Sequence, residues 1–569
     1  MSYRWVYAKD PGEETVRKLK QDLNLPDEIA YLLAIRGIHS FESAKTFFRP
    51  NQNNLYDPFL MKDMEEGACR LSKAIRNREK VVIYGDYDVD GTTAVSILYT
   101  YLKSFGLDVE YYIPHRFKEG YGINPDGIEY SIKKNADLIV SVDCGITAID
   151  EALYAKENGI DLIICDHHTV GDQMPDAVAV LDPKRHDCSY PFDGLSGAGV
   201  GYKLIQGTTK KLGLPDSLPD QFLDLVAISI ASDIVPITDE NRILMRKGLD
   251  KINTRPRVGI QALLDLIKIP PGNVSTSSIV FSIGPRINAA GRMGDATTAV
   301  ELMIADDEQT ARQYAKELEA VNKMRRTTDT ATMSQAMDML ENKFNLDDLS
   351  AMVLHDPDWH LGVIGIVASR LVDAHYRPAI MLSTVDGKIK GSARSIKGFN
   401  IYDALKECDD LLDQFGGHEF AAGLTMEIEN LEEFRRRINR IACSTLSNND
   451  FNPELEISRD LELSRVDIKF WKLLTQFEPF GPGNMRPIFV TKDVCIEGVP
   501  TIVGNGHLKM KVKKEDSAVF DAIGFNMHAY EPKLRNCDRD KIDIAYVLEE
   551  NHWNGRRSIQ MRLKDIHVK

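Results

Sequence analysis

Five short runs of β-branched and aliphatic residues, each followed by a helical pattern, constrain the fold of residues 80–235 more than any other feature. The runs are VVIYG at 81–85, VEYYIP at 109–114, DLIVSVD at 137–143, DLIICD at 161–166 and AVAVLD at 177–182. Near-continuous apolar strands separated by amphipathic helices are typical of a parallel sheet with helices on both faces. The pattern therefore predicts a doubly wound α/β domain, with ligands beyond the carboxyl ends of its strands.

The rest of the chain divides into further segments, because 569 residues exceed the roughly 300 at which a single hydrophobic core stops growing. Apolar residues at helical spacing predict helices before and after the α/β domain. Short alternating strands such as HLKMKVKK indicate a small β-barrel near the end. We predict an N-terminal helical segment at 1–79, the catalytic α/β domain at 80–298, a connecting helix at 299–345, a second α/β domain at 346–450 and the barrel at 451–569.

Composition narrows the class of protein. The net charge of −15 argues against a protein that coats nucleic acid through many phosphate contacts, unless basic side chains are concentrated along one groove. Eight scattered cysteines without a CxxC spacing support neither a zinc ribbon nor a disulfide framework and predict buried thiols. No signal-peptide pattern and no run of about 20 apolar residues is present, so we expect a cytoplasmic protein without membrane contact.

Three carboxylates, Asp86, Asp88 and Asp90, follow the first predicted strand in the run DYDVDG. In an extended chain, alternate residues point to the same side, so the three would repel one another unless cations neutralise them. Divalent ions with oxygen ligands suit such a cluster. The alternative is an acidic turn that only caps the next helix.

Further acidic and imidazole groups stand at later strand and helix ends. Asp143 follows the third strand, Asp166, His167 and His168 end the fourth, and Asp233 ends the apolar helix LDLVAISIASDIVP. A single Asp after a strand is usually a turn or N-cap residue. Because the carboxyl ends of parallel strands lie at one edge, we instead expect these groups to converge on one site.

With these four elements in order, the chain resembles the DHH phosphoesterase superfamily, which takes its name from an Asp-His-His run. The segments GPRINAAGR at 284–292, GGHEFAAG at 416–423 and EPFGPGNMRPIF at 478–489 make it similar to the RecJ-type exonucleases of that superfamily. The resemblance covers nearly the whole chain. It implies hydrolysis of single-stranded DNA from the 5′ end to 5′-mononucleotides in repair and recombination, with exclusion of duplex DNA, a DHHA1-like second domain and an OB-fold barrel.

The resemblance also implies ligands for two divalent ions, Mn²⁺ or Mg²⁺, which would activate water for attack on phosphorus. The implied metal ligands are Asp86, Asp88, Asp90, Asp143, His167 and Asp233. Asp143 would bridge the ions, and His168 would orient a ligand or contact phosphate, so that Asp88, Asp90, Asp143, His167, His168 and Asp233 form the catalytic set. Many smaller relatives carry His where Tyr84 stands here, so it stays open whether Asp86 or Asp88 binds more directly.

Candidate substrate-binding residues lie in three places. Arg286, Asn288 and Arg292 are candidates for a 5′ phosphate, and Ser392 and Arg394 match a phosphate-contact motif of the related domain. Gly416, Gly417 and His418 form a predicted turn without bulky side chains, which either admits a phosphate or sugar or permits tight helix packing. Lys509, Lys511 and Lys513 alternate along one strand, either as a groove for a single strand or as an ordinary solvated face.

Other functions remain open at this stage. A short-oligonucleotide or cyclic-dinucleotide phosphodiesterase would use the same metals without needing a barrel, and an inactive scaffold protein of the superfamily would have lost carboxylates. A dinucleotide-dependent dehydrogenase is excluded because no GxGxxG follows the first strand. We expect a monomer that receives single-stranded DNA from a helicase and a single-strand-binding protein.

Overall fold

The computed structural model describes residues 3–270, 272–515, 517–535, 541–553 and 556–569. They form two compact units, one of Gln52–Phe451 and one that combines Met1–Asn51 with Asn452–Lys569. In the described part of the chain no helix has the length and apolar character needed to span a membrane. Cys144, Cys165 and Cys408 are buried as expected, but the prediction of buried thiols is wrong for Cys69, Cys443 and Cys495, which are exposed, and Cys537 lies outside the described residues.

The first sheet of the larger unit has five parallel strands, which confirms the predicted doubly wound α/β fold. Their order across the sheet is Val109–Tyr112, Val81–Gly85, Leu138–Val142, Asp161–Cys165 and Ala179–Leu181. Successive residues of each central strand enter different cores. Ile83 and Val140, for example, pack on one face, and Val82 and Ile139 on the other. Burial on both faces explains why these strands read as continuous apolar runs.

Helices cover both faces of this sheet and continue beyond it. Those between or beside the strands are Met64–Asn77, Val89–Lys103, Pro125–Lys133, Ile149–Glu157 and Gly197–Lys211. A helical extension follows, with Leu223–Ser232, Asp239–Thr254, Val258–Ile267, Thr276–Ser278, Gly284–Met293 and Thr297–Ile304. The fully buried ammonium of Lys203 joins the two groups, because it donates to Oε1 of Glu240 at 2.6 Å.

A helix of 36 residues, Glu308–Lys343, leads to the second α/β domain. It begins at Asp307, whose side chain accepts a hydrogen bond from the backbone of Thr310, and it packs against both Gly284–Met293 and Leu361–His375. The second domain has a mixed sheet in the order Gln414–His418, Ala421–Met426, Lys388–Arg394, Ala379–Val385 and Met352–His355. Its other helices are Ile401–Lys406 and Leu431–Thr445.

The smaller unit contains the predicted barrel. Phe489–Val503 pairs with both His507–Lys513 and Ile542–Trp553, and these strands close a ring with Phe520–Gly524 and Arg556–Val568. This confirms the OB-type barrel. Its remaining elements are the strands Arg4–Tyr7, Glu454–Ile457 and Arg459–Asp460 and the helices Glu13–Leu23, Asp27–Ala34, Phe41–Phe48, Ile468–Thr475 and Glu531–Arg535.

The first 79 residues, predicted as one helical segment, are divided between the two units. Arg4–Tyr7 pairs in parallel with Glu454–Ile457, so the beginning of the chain joins the barrel unit, whereas Met64–Asn77 packs in the core of the larger unit. The guanidinium of Arg36 donates to Asn484 Oδ1 at 2.8 Å and to the carbonyl of Met485 at 2.7 Å. The segment at 478–489 therefore anchors the N-terminal helices to the barrel.

Candidate metal centre and phosphate-binding cluster

The carboxyl ends of three neighbouring strands place acidic and imidazole groups at one edge of the parallel sheet. Three groups of side chains have possible ligand atoms within 4.8 Å of one another. They are Asp86 with Asp88 and Asp143, Asp90 with His167 and Asp233, and Asp143 with His167 and His168. The structure thus gathers all seven residues that the sequence proposes for the metal centre.

His167 belongs to the second and third of these groups. Its Nε2 lies 3.2 Å from Asp143 Oδ1, 3.6 Å from Asp233 Oδ2 and 3.7 Å from Asp90 Oδ2. Asp143 belongs to both the Asp86 group and the His168 group, so its carboxylate lies between two places where cations could bind. This central position is the one expected of a bridging ligand.

The electrostatics of the cluster call for cations. Burial, followed by the neighbouring carboxylates, raises the pKa of Asp86 and Asp143 well above the ordinary value, and burial with Asp90 and Asp88 raises the pKa of Asp233 to about 8. Within the described residues, Oδ1 of Asp86 and both ring nitrogens of His167 are buried without a hydrogen-bond partner. Buried polar atoms are rarely left unpaired, so this donor set fits divalent cations that prefer oxygen and imidazole ligands.

Asp90 is held rigidly by the neighbouring helices. Its carboxylate accepts hydrogen bonds from the backbone N–H groups of Gly197 at 2.6 Å and Ala198 at 2.8 Å, at the N-terminus of Gly197–Lys211, and from Ser229 Oγ at 2.7 Å. A Cβ at position 197 would lie 2.6 Å from Cβ of Asp143. Glycine there lets the helix end approach the metal centre, where its backbone donors favour a negative charge.

The backbone of the cluster also adopts uncommon conformations. Asp143 has φ 60°, in the left-handed region, where Asp is found more often than most residues and which is enriched at functional sites. Asp88 caps the helix Val89–Lys103 by accepting from the backbone of Gly91 at 3.1 Å. The capping alternative raised for this run is therefore correct for Asp88, and it is compatible with metal binding through the second oxygen.

Asp166 was expected at this site without an assigned role, and Tyr121 was not predicted from the sequence. Asp166 does not join the metal groups but accepts from the ring Nδ1 of His168 at 2.7 Å and from the backbone of Ile146 at 2.8 Å. Although burial opposes it, this hydrogen bond and the charge of Asp166 raise the pKa of His168 to about 9. The hydroxyl of Tyr121 donates to the carbonyl of Asp143 and lies 3.1 Å from His168 Nδ1. The glycines on either side of Tyr121 were the available sequence signal.

Three guanidinium groups converge beside the Asp86 and Asp88 side of the centre. Burial, with the charges of Arg116 and Arg394, lowers the pKa of Arg292 to about 10, while Asp88 opposes this shift. Arg116 lies over the ring of Tyr87 at 4.9 Å from its centroid. Within the described part of the chain none of Arg116, Arg292 and Arg394 forms an ion pair with a carboxylate, so together they are a cluster of positive charge whose guanidinium groups suit a phosphate. Arg116 was missed because a single Arg in a loop carries no distinctive pattern.

The three candidates from the segment 284–292 differ in their surroundings. Asn288 and Arg292 line a cavity of about 210 Å³ together with Ser232 and Arg325. Arg286 instead pairs with Glu319 of the long helix at 2.5 Å and donates to the carbonyl of Ser282. Because its charge is already compensated, Arg286 is better explained as a link between helices than as a phosphate ligand.

In the second sheet the remaining candidates lie in two rows of directly paired residues that cross three neighbouring strands. Ser392 lies opposite Gly423, which lies opposite Gly416, and Arg394 lies opposite Ala421, which lies opposite His418. The predicted turn at 416–418 is wrong, because these residues belong to the exposed edge strand Gln414–His418. A Cβ at Gly416 would meet no atom within 4 Å, so helix packing does not require glycine there. Gly417 has φ 145°, a backbone conformation that favours glycine. The face beside Arg394 is therefore smooth and open.

In the barrel unit, Lys509 and Lys511 are exposed and Lys513 is partly exposed, while Met510 and Val512 are buried, which matches the predicted alternation. The strand register adds a feature that the sequence does not reveal. Lys511 lies between Glu497 on one neighbouring strand and Asp521 on the other. Directly opposed residues share a face of the sheet, so acidic groups reduce the positive field of this strand.

Comparisons with known proteins cover nearly the whole chain. The family models for the DHH family N-terminal domain, the DHHA1 domain and the RecJ OB domain match residues 80–230, 348–443 and 457–565. The single-stranded-DNA-specific exonuclease RecJ of Bacillus subtilis is 38% identical over 99% of this chain and 71% of its own length, and that of Salmonella typhimurium is 32% identical over 95% and 96%. The crystal structure of RecJ with Mn²⁺ from Thermus thermophilus matches with a TM-score of 0.84 and 29% identity, over 99% of this chain and 79% of that one.

Proposed function

The chain belongs to the RecJ family of single-stranded-DNA-specific exonucleases, and on this premise we propose that it hydrolyses single-stranded DNA from the 5′ end to 5′-mononucleotides with two divalent cations, Mn²⁺ or Mg²⁺. The observation that carries the proposal is the gathering of buried carboxylates and His167 at one sheet edge, with polar atoms that no described protein group satisfies. Such a cluster of buried carboxylates is unfavourable when ionised unless cations neutralise its charge.

The two cations have separate ligand groups. Asp86, Asp88 and Asp143 would hold one, and Asp90, His167 and Asp233 would hold the other. Asp143 Oδ1 lies 3.2 Å from His167 Nε2, so these two ligands would link the two groups. When bound, the cations supply Lewis-acid activation of water and charge stabilisation at the phosphate. The chain itself fixes the ligands, since the helix N-terminus at Gly197 and Ala198 orients Asp90.

The residues around the metal ligands orient the substrate. Asp166 directs the ring of His168, whose exposed edge faces the centre and can donate to a phosphate oxygen. The carbonyl of Asp143 is held by Tyr121. Because these contacts exist before substrate binds, little reorganisation is required at the moment of reaction.

We assign the 5′ polarity to the arginine cluster. A terminal phosphate carries more negative charge than an internal phosphodiester, so Arg292, Arg394 and Arg116 would bind it preferentially, with Asn288 and Ser392 as neutral donors. Gly416, Gly417 and His418 form the open face on which the terminal sugar can rest. Since the cluster adjoins Asp88, a phosphate bound there presents the next phosphodiester to the metal centre.

Two alternative functions are less well supported. A phosphodiesterase for short oligonucleotides would not need the barrel, in which Lys509, Lys511 and Lys513 offer a groove for a longer strand. An inactive scaffold would lack ligands, whereas here every carboxylate of both metal groups is present. We further propose a role in DNA repair and recombination, in which a monomer in the cytoplasm receives its strand from a helicase and a single-strand-binding protein.

Strands labelled at either end test the proposal. With Mn²⁺, a 5′-labelled single strand should release labelled mononucleotide at once, a 3′-labelled strand should release label last, and duplex should resist. Asp143→Ala should abolish release, whereas Asp150→Ala, which removes an exposed carboxylate of the same domain, should not. Early release of the 3′ label would contradict the polarity, and activity in Asp143→Ala would contradict the metal centre.

A further inference from the structure

Lys184 stands at the opposite edge of the parallel sheet from the arginine cluster. The edge strand Ala179–Leu181 is followed by Asp182, whose carboxylate accepts from the backbone N–H of Lys184 at 2.7 Å. The exposed side chain of Lys184 turns back, and its ammonium donates to the backbone carbonyl of His167. Among the described residues no carboxylate forms an ion pair with it. An ammonium has three donors, so most of its binding capacity remains available.

Ile234 directly follows Asp233, whose Oδ2 is 3.6 Å from His167 Nε2, so its backbone lies next to the His167 side of the centre. The residue is 65% exposed, and its φ is 60°. A β-branched residue in the left-handed region is a genuine outlier, because its Cβ substituents crowd the backbone. Neither packing nor backbone preference explains an isoleucine here, and such outliers concentrate at ligand sites.

The metal centre therefore has two different flanks. The strand Val109–Tyr112, which leads to Arg116, and the strand Ala179–Leu181, which leads to Lys184, are the two edges of the sheet. Four strand spacings of about 4.8 Å separate them. Arg116 acts electrostatically on Asp86, whereas Lys184 acts on Asp233 and His167. A strand that begins at the arginine cluster and crosses the metal centre would leave past Lys184 and Ile234.

We infer that Lys184 and Ile234 form a subsite for the second nucleotide of the substrate, the one that follows the scissile phosphodiester. Lys184 binds the phosphate on the 3′ side of that nucleotide, and Ile234 packs against its base. This inference rests on the proposed function. An aliphatic contact has no hydrogen-bond readout, so the subsite accepts every base, as a nonspecific exonuclease requires.

Two short substrates separate this role from a role at the scissile bond. A 5′-phosphorylated thymidine dinucleotide contains the second nucleotide but no phosphate beyond it, whereas the trinucleotide contains that phosphate. Lys184→Gln should raise KM for the trinucleotide about tenfold, leave KM for the dinucleotide unchanged and leave kcat unchanged for both. The salt dependence of KM for the trinucleotide should fall by the equivalent of about one phosphate contact.

The matched control for the lysine is Lys133→Gln, which removes a charge from an exposed helix of the same domain. It should alter neither KM. An equal loss of Lys184→Gln on both substrates, or a loss confined to kcat, would assign Lys184 to the scissile phosphate and overturn the inference. The inference would also be overturned if Mn²⁺ no longer raised the Tm of Lys184→Gln, because Lys184 would then support the metal centre.

Ile234→Gly tests the apolar contact against a structural role. Glycine tolerates a φ of 60°, so the variant should melt about 1–2 °C higher, while KM rises about fivefold for both substrates. Lys268→Gly, which relieves another left-handed residue at φ 57°, should raise Tm without changing KM. With an abasic second nucleotide, wild type and Ile234→Gly should have the same KM.

The outcomes also distinguish this inference from the proposed function. If the wild-type protein hydrolyses neither oligonucleotide, the exonuclease proposal fails first. If it hydrolyses both, but Ile234→Gly lowers Tm and leaves KM unchanged, Ile234 is a packing residue and the subsite is refuted.

Discussion

The metal edge of the parallel sheet and the lysine strand of the barrel use charge in opposite ways. At the metal edge, Asp86, Asp90 and Asp143 are almost completely buried next to one another. On the barrel, Lys509 and Lys511 are solvated, and the acids Glu497 and Asp521 lie beside Lys511. The buried carboxylates destabilise the protein unless a ligand neutralises them, whereas the solvated lysines and their acidic neighbours have little effect on its stability.

This difference suggests that the metal edge determines the rate of the reaction and the barrel strand determines the affinity for the substrate. Buried like charges interact strongly and demand a specific ligand, so they fix the position of cations closely. Exposed lysines interact weakly and through screened fields, so they bind any polyanion and tolerate change. We therefore expect substitutions at the metal edge to affect kcat and those on the barrel to affect the binding of long strands.

The strongest test is removal of one central charge. Asp143→Asn should lower kcat by about 10³-fold or more, since it takes a ligand from the position between the two cations. Asparagine tolerates φ 60°, and repulsion among the buried carboxylates is relieved, so in EDTA the variant should melt at or above the wild-type Tm. Mn²⁺ should then raise the Tm of the wild type only. A variant that melts clearly lower in EDTA would show that these carboxylates stabilise the fold without metal.

Buried charges away from the metal edge should behave differently, because they have partners of opposite sign. Lys203→Met leaves Glu240 buried without its cation, which should cost about 3–5 kcal/mol of unfolding free energy. The double variant with Glu240→Gln should recover most of this loss, since an amide can still accept from the backbone of Tyr56 and donate to the hydroxyl of Tyr190. Denaturant unfolding measures both. Equal losses in the single and double variants would contradict the paired-charge explanation.

The fold was predictable where burial imposes a pattern. The strand predicted at 81–85 is observed as Val81–Gly85, and the run at 161–166 is observed as Asp161–Cys165, because residues buried on both faces leave an uninterrupted apolar signal. The strand Arg4–Tyr7 was missed, since its partner Glu454–Ile457 lies some 450 residues away and local periodicity carries no information about that pairing.

The site was predictable for those residues that the order of the strands brings to the same edge of the sheet. Asp86, Asp143 and His167 follow neighbouring strands, so topology brings them together. The distinct duty of Asp166, which orients His168, depends on a side-chain rotamer that no spacing encodes. Arg286 resembled Arg292 in sequence, yet only the position of the long helix reveals that Glu319 compensates it.

A smaller effect is expected from the barrel. Replacing Lys509, Lys511 and Lys513 together with Ala should weaken the binding of long single strands about 10- to 30-fold at low salt and reduce the slope of log K against log salt by about 2. Hydrolysis of the trinucleotide should not change. The control replaces three exposed lysines of the same unit, Lys18, Lys469 and Lys472. Equal losses in both variants would show that net charge, not this strand, determines affinity.

The smallest expected effect is a gain: removing an acid from the barrel should strengthen DNA binding, whereas removing an acid from the metal edge should lower kcat. Glu497→Gln or Asp521→Asn removes an acid beside Lys511, so each should strengthen the binding of a long strand about 2- to 3-fold at low salt and have no effect at high salt. Glu14→Gln, on an exposed helix of the same unit, controls for the change in net charge. If either substitution on the barrel weakens binding, the acids must orient Lys511 toward the phosphates, and the barrel strand would then be organised by opposite charges that hold one another in place.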